Sequence, residues 1–75
     1  MFEQVKILVI EALNLSAEDV TAGASLRDDL GIDSLDAAEL IMELEDVFSL
    51  KISEKQAAGF VTVQDIVNFV EAAKQ

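Results

Sequence analysis

One serine in the sequence occupies a position where its hydroxyl group could carry a covalent group. Ser34 directly follows Asp33, which can accept backbone N–H bonds as the N-cap of a helix. Two residues earlier, Gly31 can adopt a left-handed backbone conformation that most residues avoid, and Ile32 can anchor this approach in the core. We therefore predict that Ser34 lies at a helix start, where unpaired amide donors and the positive end of the helix dipole favour a phosphate ester.

The remaining residues offer little other chemistry. The 75 residues include no histidine and no cysteine, which argues against an activated nucleophile and against a structural zinc site. A calcium-binding EF-hand loop that began at Asp28 would have Leu30 and Ile32 at ligand positions, and Asp33 where glycine is required. We expect neither catalytic residues nor a dedicated metal site.

The charge of the chain is strongly acidic and unevenly distributed. Fifteen acidic residues against five basic ones give a net charge of -10, which argues against nucleic-acid binding and against docking on anionic membranes. Residues 28–46 include no lysine or arginine but hold eight of the acids, namely Asp28, Asp29, Asp33, Asp36, Glu39, Glu43, Glu45 and Asp46. We expect partners with basic surfaces.

Around Ser34, the elements that must position it are helical. A helix is predicted over 34–48, and its core-facing side chains are expected to be Ala37, Leu40, Ile41, Leu44, Val47 and Phe48. Its acidic edge, spaced by three, four and three residues, consists of Asp36, Glu39, Glu43 and Asp46. Leu35 and Met42 project roughly opposite the core-facing stripe, so we predict that they form an apolar docking patch rimmed by carboxylates.

A first helix is predicted over 2–13 from an apolar period near 3.6 residues. The residues that follow this period are Phe2, Val5, Val9, Ala12 and Leu13, and the apolar face is broadened by Ile7, Leu8 and Ile10. The broad face indicates packing against more than one neighbour, and Asn14 can help to end the helix.

Residues 14–33 are predicted to form a long first loop with apolar anchors and a single helical turn over 16–19. The expected anchors are Leu15, Val20, Leu26, Leu30 and Ile32. A short third helix should follow a Ser53–Gln56 capping box and end at Gly59, and a last helix should run from a cap at Thr62 to about Ala73. The sequence thus predicts an all-α antiparallel four-helix bundle, with three longer helices and one short one, in a single domain over residues 1–75.

The run Asp28-Asp29-Leu30-Gly31-Ile32-Asp33-Ser34-Leu35-Asp36, followed by Glu39-Leu40 and Met42-Glu43-Leu44-Glu45, resembles the acyl carrier proteins. The resemblance covers essentially the whole chain. It implies that Ser34, flanked by Asp33 and Leu35, carries a 4'-phosphopantetheine arm through a phosphodiester, and that the terminal thiol of the arm holds acyl groups as thioesters.

The resemblance also implies surfaces for partners and for cargo. The expected partner face consists of Leu35, Asp36, Glu39, Met42, Glu43, Glu45 and Asp46. The candidates to line an acyl-chain pocket are Ile41, Leu44, Phe60, Val61 and Val67. The implied partners are a phosphopantetheinyl transferase, and acyl transferases, ketosynthases and other enzymes of fatty acid synthesis with basic docking patches.

The motif around Ser34 and the acidic second helix resemble the fatty-acid-synthesis branch most closely. Carriers of that branch often have proline where this chain has Ser53, and an acid where it has Lys55, which affects the choice of partner enzymes. A specialised carrier for polyketide, peptide or cell-wall aminoacyl assembly, and an unmodified acidic helical adaptor, remain as alternatives. We expect no membrane-inserted segment, because the longest uninterrupted apolar run is only Ile7-Leu8-Val9-Ile10. We expect a monomer in the cytoplasm, or in an organelle after removal of a targeting segment.

Overall fold

Four helices make up the regular structure of residues 1–74, the part of the chain that the computed structural model describes. Their bounds are α1 Phe2–Leu13, α2 Ser34–Phe48, α3 Glu54–Ala58 and α4 Val63–Ala73. Within the described residues there is no strand, only an isolated antiparallel bridge between Ser25 and Thr62. The predicted all-α fold of three longer helices and one short helix is confirmed.

The ends of the helices follow the capping residues in the sequence. At α3, the Ser53 side chain accepts a hydrogen bond from the Gln56 amide, and the Gln56 side chain accepts one from the Ser53 amide. Thr62 and Asp65 make the same reciprocal pair at α4. Asn14 ends α1 in a left-handed conformation with φ 55°, which asparagine tolerates better than most residues. These three predicted boundaries are confirmed.

The core of the bundle is formed where α1 packs against both α2 and α4, as the broad apolar face of α1 predicted. The largest side chains that are fully buried come from all three of these helices and from the long loop: Leu40, Leu44, Ile66, Val5, Val9, Val20, Val63 and Val70. No polar or charged side chain is buried among the described residues. The fold therefore depends on apolar packing.

Two residues predicted on apolar helix faces lie outside the core. Val47 of α2 is 59% exposed, so its assignment to the core was wrong, and Ile7, which was predicted to broaden the apolar face of α1, is 52% exposed. Both line a groove between α1 and α2, so neither is covered by the opposite helix. On the α1 side the lining of this groove includes the small Ala12 and the polar Gln4.

The long loop over residues 14–33 is held by buried side chains, as predicted. Val20, Leu26, Leu30 and Ile32 are buried, and Leu15 packs against the core while remaining partly exposed. The predicted turn over 16–19 is present, closed by a hydrogen bond of 3.1 Å from the Asp19 amide to the Ser16 carbonyl. The loop is therefore ordered by its own apolar anchors.

Asp65 gives the fold a testable pH dependence. Its carboxylate accepts hydrogen bonds of 3.0 Å from the amides of both Thr62 and Val61, and these bonds hold its pKa below the usual value of 3.8. Because the folded-state pKa is the lower one, the bonds stabilise the fold above the unfolded pKa, and this stabilisation is lost as pH falls through the folded pKa.

We expect Asp65→Asn to lower the melting temperature at pH 7, and the difference from wild type to shrink below pH 3.8. Thermal melts followed by circular dichroism across this range measure the difference. Asp46→Asn is the control, since it removes the same charge from an exposed position of α2. A difference in melting temperature between Asp65→Asn and wild type that stayed constant with pH would contradict the assigned role of the ionised carboxylate.

Candidate functional site

Ser34 is the first residue of α2, and its side chain is exposed. Asp33 is the N-cap in an extended conformation; its side chain accepts a hydrogen bond of 2.9 Å from the Asp36 amide and its carbonyl accepts one of 2.9 Å from the Ala37 amide. Helix geometry leaves the amides of Ser34 and Leu35 without acceptors inside the helix. An anion attached to the Ser34 oxygen would lie beside these donors and the positive end of the α2 dipole.

The turn before Ser34 is fixed by Gly31 and Ile32. Gly31 has φ 66°, the left-handed conformation predicted for it, and its amide donates to the Arg27 carbonyl over 3.1 Å. Ile32 is buried, as predicted, and its amide donates to the Leu26 carbonyl over 2.9 Å. The chain thus reverses at glycine and is tied to the core one residue before the helix cap.

A small polar network stabilises the preceding part of the loop. The Ser25 amide donates to the Asp29 carboxylate over 2.7 Å, and the Asp28 amide donates to the Ser25 hydroxyl over 3.1 Å. Asp29 is one of the eight acids of the segment 28–46, but its side chain caps this loop. At least one of these acids therefore has a local structural role.

The same loop is joined to the segment between α3 and α4. The Leu26 amide donates to the Val61 carbonyl over 2.8 Å, and the Val63 amide donates to the Ala24 carbonyl over 3.2 Å, on either side of the Ser25–Thr62 bridge. This pairing holds the two segments together across the end of the bundle where α2 begins.

Between these segments and α2 lies a groove of about 420 Å³, which we call the serine groove because Ser34 is on its wall. Its apolar lining is Leu26, Ile32, Ala37, Leu40, Ile41, Ala58, Phe60 and Val61, and its polar lining is Ser25, Arg27, Asp28, Asp33 and Ser34. The Phe60 ring is positioned by an edge-to-face contact with Phe69 of α4, with ring centroids 5.4 Å apart. The serine groove thus connects the Ser34 hydroxyl with an apolar surface.

The five predicted pocket residues fall into two groups. Ile41, Phe60 and Val61 line the serine groove. Leu44 and Val67 do not line it, because both are buried in the core. Both are candidates for an acyl-chain pocket from the sequence, and for these two residues that stays a prediction.

Arg27, the single arginine of the chain, was missed by the sequence reasoning although it lines the serine groove. The sequence feature that could have indicated it is its position, seven residues before Ser34 and directly before the segment 28–46, in which every charged residue is an acid. Periodicity could not reveal its placement, because the loop is irregular and the hydrogen bonds of its backbone decide where the side chain lies.

The predicted partner face is largely exposed. Leu35 is 81% exposed and Met42 62% exposed, as predicted for side chains opposite the core. Glu39, Glu43 and Asp46 are exposed beside them, and Asp36 is partly exposed at the first turn. These residues form one surface with apolar and acidic members, which we call the α2 front.

Glu45 differs from the other members predicted for the partner face. Its Oε2 accepts a hydrogen bond of 2.8 Å from the Ile52 amide, in the segment between α2 and α3, and the residue is only partly exposed. The carboxylate thus satisfies a backbone donor that would otherwise lack a protein partner. No sequence pattern indicated this contact, because the two residues are seven positions apart across an irregular segment.

Among residues 1–74, no group of three or more His, Cys, Asp or Glu side chains is placed to hold a metal ion. No helix in this part of the chain has both the length and the apolar character needed to span a membrane.

Comparison with known proteins identifies the class. The family model described as "Phosphopantetheine attachment site" matches residues 3–70, so the chain belongs to this family, whose members carry a covalent 4'-phosphopantetheine group. Among solved structures, a candidate acyl carrier protein from Mycobacterium tuberculosis (Rv0033) is 36% identical with a TM-score of 0.88, covering 96% of this chain and 96% of that one. The chain is thus similar to acyl carrier proteins, which are carriers and not enzymes.

Proposed function

We propose that Ser34 is the residue to which 4'-phosphopantetheine is attached, and that the protein carries acyl intermediates of fatty acid synthesis as thioesters on this arm. The observation that carries the proposal is the exposed Ser34 side chain on the first turn of α2, on the wall of the serine groove. The chain has no cysteine, so a thioester depends on the thiol that the prosthetic group supplies.

Residues around Ser34 suit a phosphodiester. The free amides of the first turn and the α2 dipole favour its negative charge, while the Asp33 side chain is kept on the Asp36 amide. Arg27 lies in the same groove and can provide a compensating positive charge in a region where other charged residues are acidic. Ser34 thus lies where positive groups can bind a phosphate, while its side chain stays exposed to solvent.

Replacement of the serine tests the attachment. Ser34→Ala should keep the fold, since Asp33 supplies the side-chain cap of α2, but should abolish modification by a broad-specificity phosphopantetheinyl transferase. Intact mass spectrometry after coexpression measures this directly. Ser16→Ala, in an exposed loop position, is the control and should gain the full phosphopantetheinyl mass. Modification of Ser34→Ala would exclude Ser34 as the attachment residue.

The α2 front is the surface that we propose for docking of partner enzymes. Exposed Leu35 and Met42 offer apolar contacts within one turn or two of Ser34, and the acids beside them would steer partners with basic patches. The proposed partners are the phosphopantetheinyl transferase, acyl transferases and ketosynthases. Glu45 is left out of this surface because its carboxylate is bonded to the Ile52 amide.

Charge reversal on the α2 front should slow association. Glu39→Lys with Asp46→Lys is expected to lower the rate of modification at least tenfold at low salt, and added salt should narrow the gap because it screens the long-range attraction. The control Glu18→Lys with Glu71→Lys makes the same change of net charge at exposed sites outside α2. Equal slowing in both double variants would mean that only the net charge matters.

The serine groove is the proposed site for the acyl chain. Its volume of about 420 Å³ and its apolar wall suit aliphatic cargo, which gains roughly 0.8 kcal/mol for each buried CH₂. Leu44 and Val67 lie in the core, so they can contact the cargo only if the chain enters more deeply and displaces them. We infer that a short acyl chain rests against Ile41, Phe60 and Val61, and that a longer one enlarges the groove.

A specific feature favours a second candidate cargo. Ser25, Arg27 and Asp28 place polar groups in the lining of the serine groove, where the Ser25 hydroxyl and the Arg27 guanidinium can donate hydrogen bonds to oxygens on the cargo. A specialised carrier, such as one for polyketide assembly, would handle such oxygen-bearing chains. The departures at Ser53 and Lys55 from the pattern common in fatty acid synthesis also suit this alternative.

Loaded forms distinguish the two cargoes. Octanoyl loading should raise the melting temperature above that of the acetyl-loaded control, with NMR shift changes at Ile41, Phe60 and Val61. A 3-oxo-octanoyl chain should stabilise the protein less if the groove selects aliphatic cargo, and more if it selects polar cargo. Shift changes confined to the first turn of α2 for every chain would contradict burial in the groove.

We further propose that residues 1–75 act as a single, monomeric carrier domain in the cytoplasm. The net charge of -10 supports the monomer, because two copies would repel one another at close range.

A further inference from the structure

A second groove lies between α1 and α2, away from Ser34. It has a volume of about 290 Å³ and is lined by Gln4, Ile7, Leu8, Glu11, Ala12, Glu43 and Val47. We call it the α1–α2 groove. It shares no lining residue with the serine groove.

The apolar floor of the groove includes two exposed side chains, one from each helix. Ile7 and Val47 are both more than half exposed, although Ile7 belongs to the broad apolar face of α1 and Val47 to the apolar stripe of α2. Within the described residues, the large exposed apolar side chains other than Met1 and Val61 fall into two pairs, Leu35 with Met42 and Ile7 with Val47. Single exposed apolar residues need no explanation, but a pair from two helices that meets in one groove indicates an interaction site.

The charges on the α1–α2 groove define the partner. The charged side chains that line it are Glu11 and Glu43, one from each helix, and no lysine or arginine is among the lining residues. A second copy of the chain is a poor occupant, because a symmetric contact would bring these acids and two net charges of -10 together. A segment with apolar side chains between lysine or arginine residues complements both the floor and the rim.

We propose that the α1–α2 groove binds an amphipathic helix of a partner protein, with its apolar side chains on Ile7 and Val47 and its basic side chains beside Glu11 and Glu43. A trough between two helices suits a third helix laid into it. The proposal goes beyond the proposed function, and it does not require Ser34 to be modified.

The α1–α2 groove lies far enough from Ser34 for a partner to bind there without covering the serine. With about 100° of rotation per residue, Val47 lies roughly 140° around α2 from both Ser34 and Met42. It is also about 20 Å from Ser34 along the helix axis, at a rise of 1.5 Å per residue. A partner held at the α1–α2 groove would therefore leave Ser34 and the exposed Leu35 and Met42 of the α2 front open to enzymes, while it would share Glu43 with that front. This access is what a tether for a carrier requires.

The test uses the full chain and a synthetic amphipathic peptide with leucines at helical spacing and flanking lysines, together with a scrambled peptide of the same composition. We expect NMR shift changes at Ile7, Glu11 and Val47 with the patterned peptide. Ile7→Gln with Val47→Gln should weaken its affinity at least tenfold by calorimetry. The matched control, Leu35→Gln with Met42→Gln, should leave the affinity within twofold.

Three results would overturn the proposal. The scrambled peptide could bind equally well, which would show attraction by charge alone. The shift changes could appear at Leu35 and Met42, which would place the peptide on the α2 front. Sedimentation of the protein alone could show a dimer that Ile7→Gln with Val47→Gln abolishes, which would make a second copy the occupant.

Modification of Ser34 serves as an independent check on the variants. Ile7→Gln with Val47→Gln should be modified by the transferase at the wild-type rate, because neither residue lies near Ser34. Loss of modification in this variant would overturn the separation of the two surfaces. Failure of Ser34 to accept the group in wild type would instead contradict the proposed function and leave the peptide result standing.

Discussion

The burial of the long loop against the helices is the interaction on which the other features of the structure depend. Val20, Leu26, Leu30 and Ile32 bring apolar side chains from an irregular segment into the core, and each such burial contributes roughly 1.5–3 kcal/mol. A chain of 75 residues without cysteine has no covalent means to hold a 20-residue connection in place. With Ile32 fixed in the core, Gly31 turns the chain and Asp33 caps α2, so the exposure of Ser34 follows from burial two residues before it.

The acidic residues of this protein have two roles, one in stabilising the connecting segments and one on the exposed surface of α2. Asp29, Glu45 and Asp65 accept hydrogen bonds from backbone amides in the segments that connect the helices, where no regular structure supplies an acceptor. Glu39, Glu43 and Asp46 remain exposed on α2. Composition alone would count all of them as surface charge. The distinction matters for function, because only the second group is available to an approaching partner.

The helices could be predicted from sequence because their determinants are local. Apolar period and capping residues lie within a few positions of one another, and the bounds of α1 and α2 agree with the prediction to the residue. The errors arose where a neighbouring element decides the outcome. Val47 has the spacing of a core residue, but whether it is covered depends on the size of side chains on α1, and the contacts of Glu45 and Arg27 depend on irregular segments. Leu44 and Val67 are buried in the core, and periodicity does not separate such residues from those of a pocket wall.

The shortness of α3 has a consequence for how the molecule fluctuates. This helix has five residues, none of them buried, and it is held by its capping box and by partly buried Ala57, whereas α1, α2 and α4 share the core. Its local opening therefore costs much less free energy than global unfolding, so its amides are expected to exchange with solvent long before those of α1 and α4. Ala58 forms part of the wall of the serine groove. This part of the wall therefore opens together with α3, at a lower free energy than the unfolding of the whole bundle. The groove can thus change its width through a subglobal fluctuation while the three longer helices keep Ser34 and the α2 front in place.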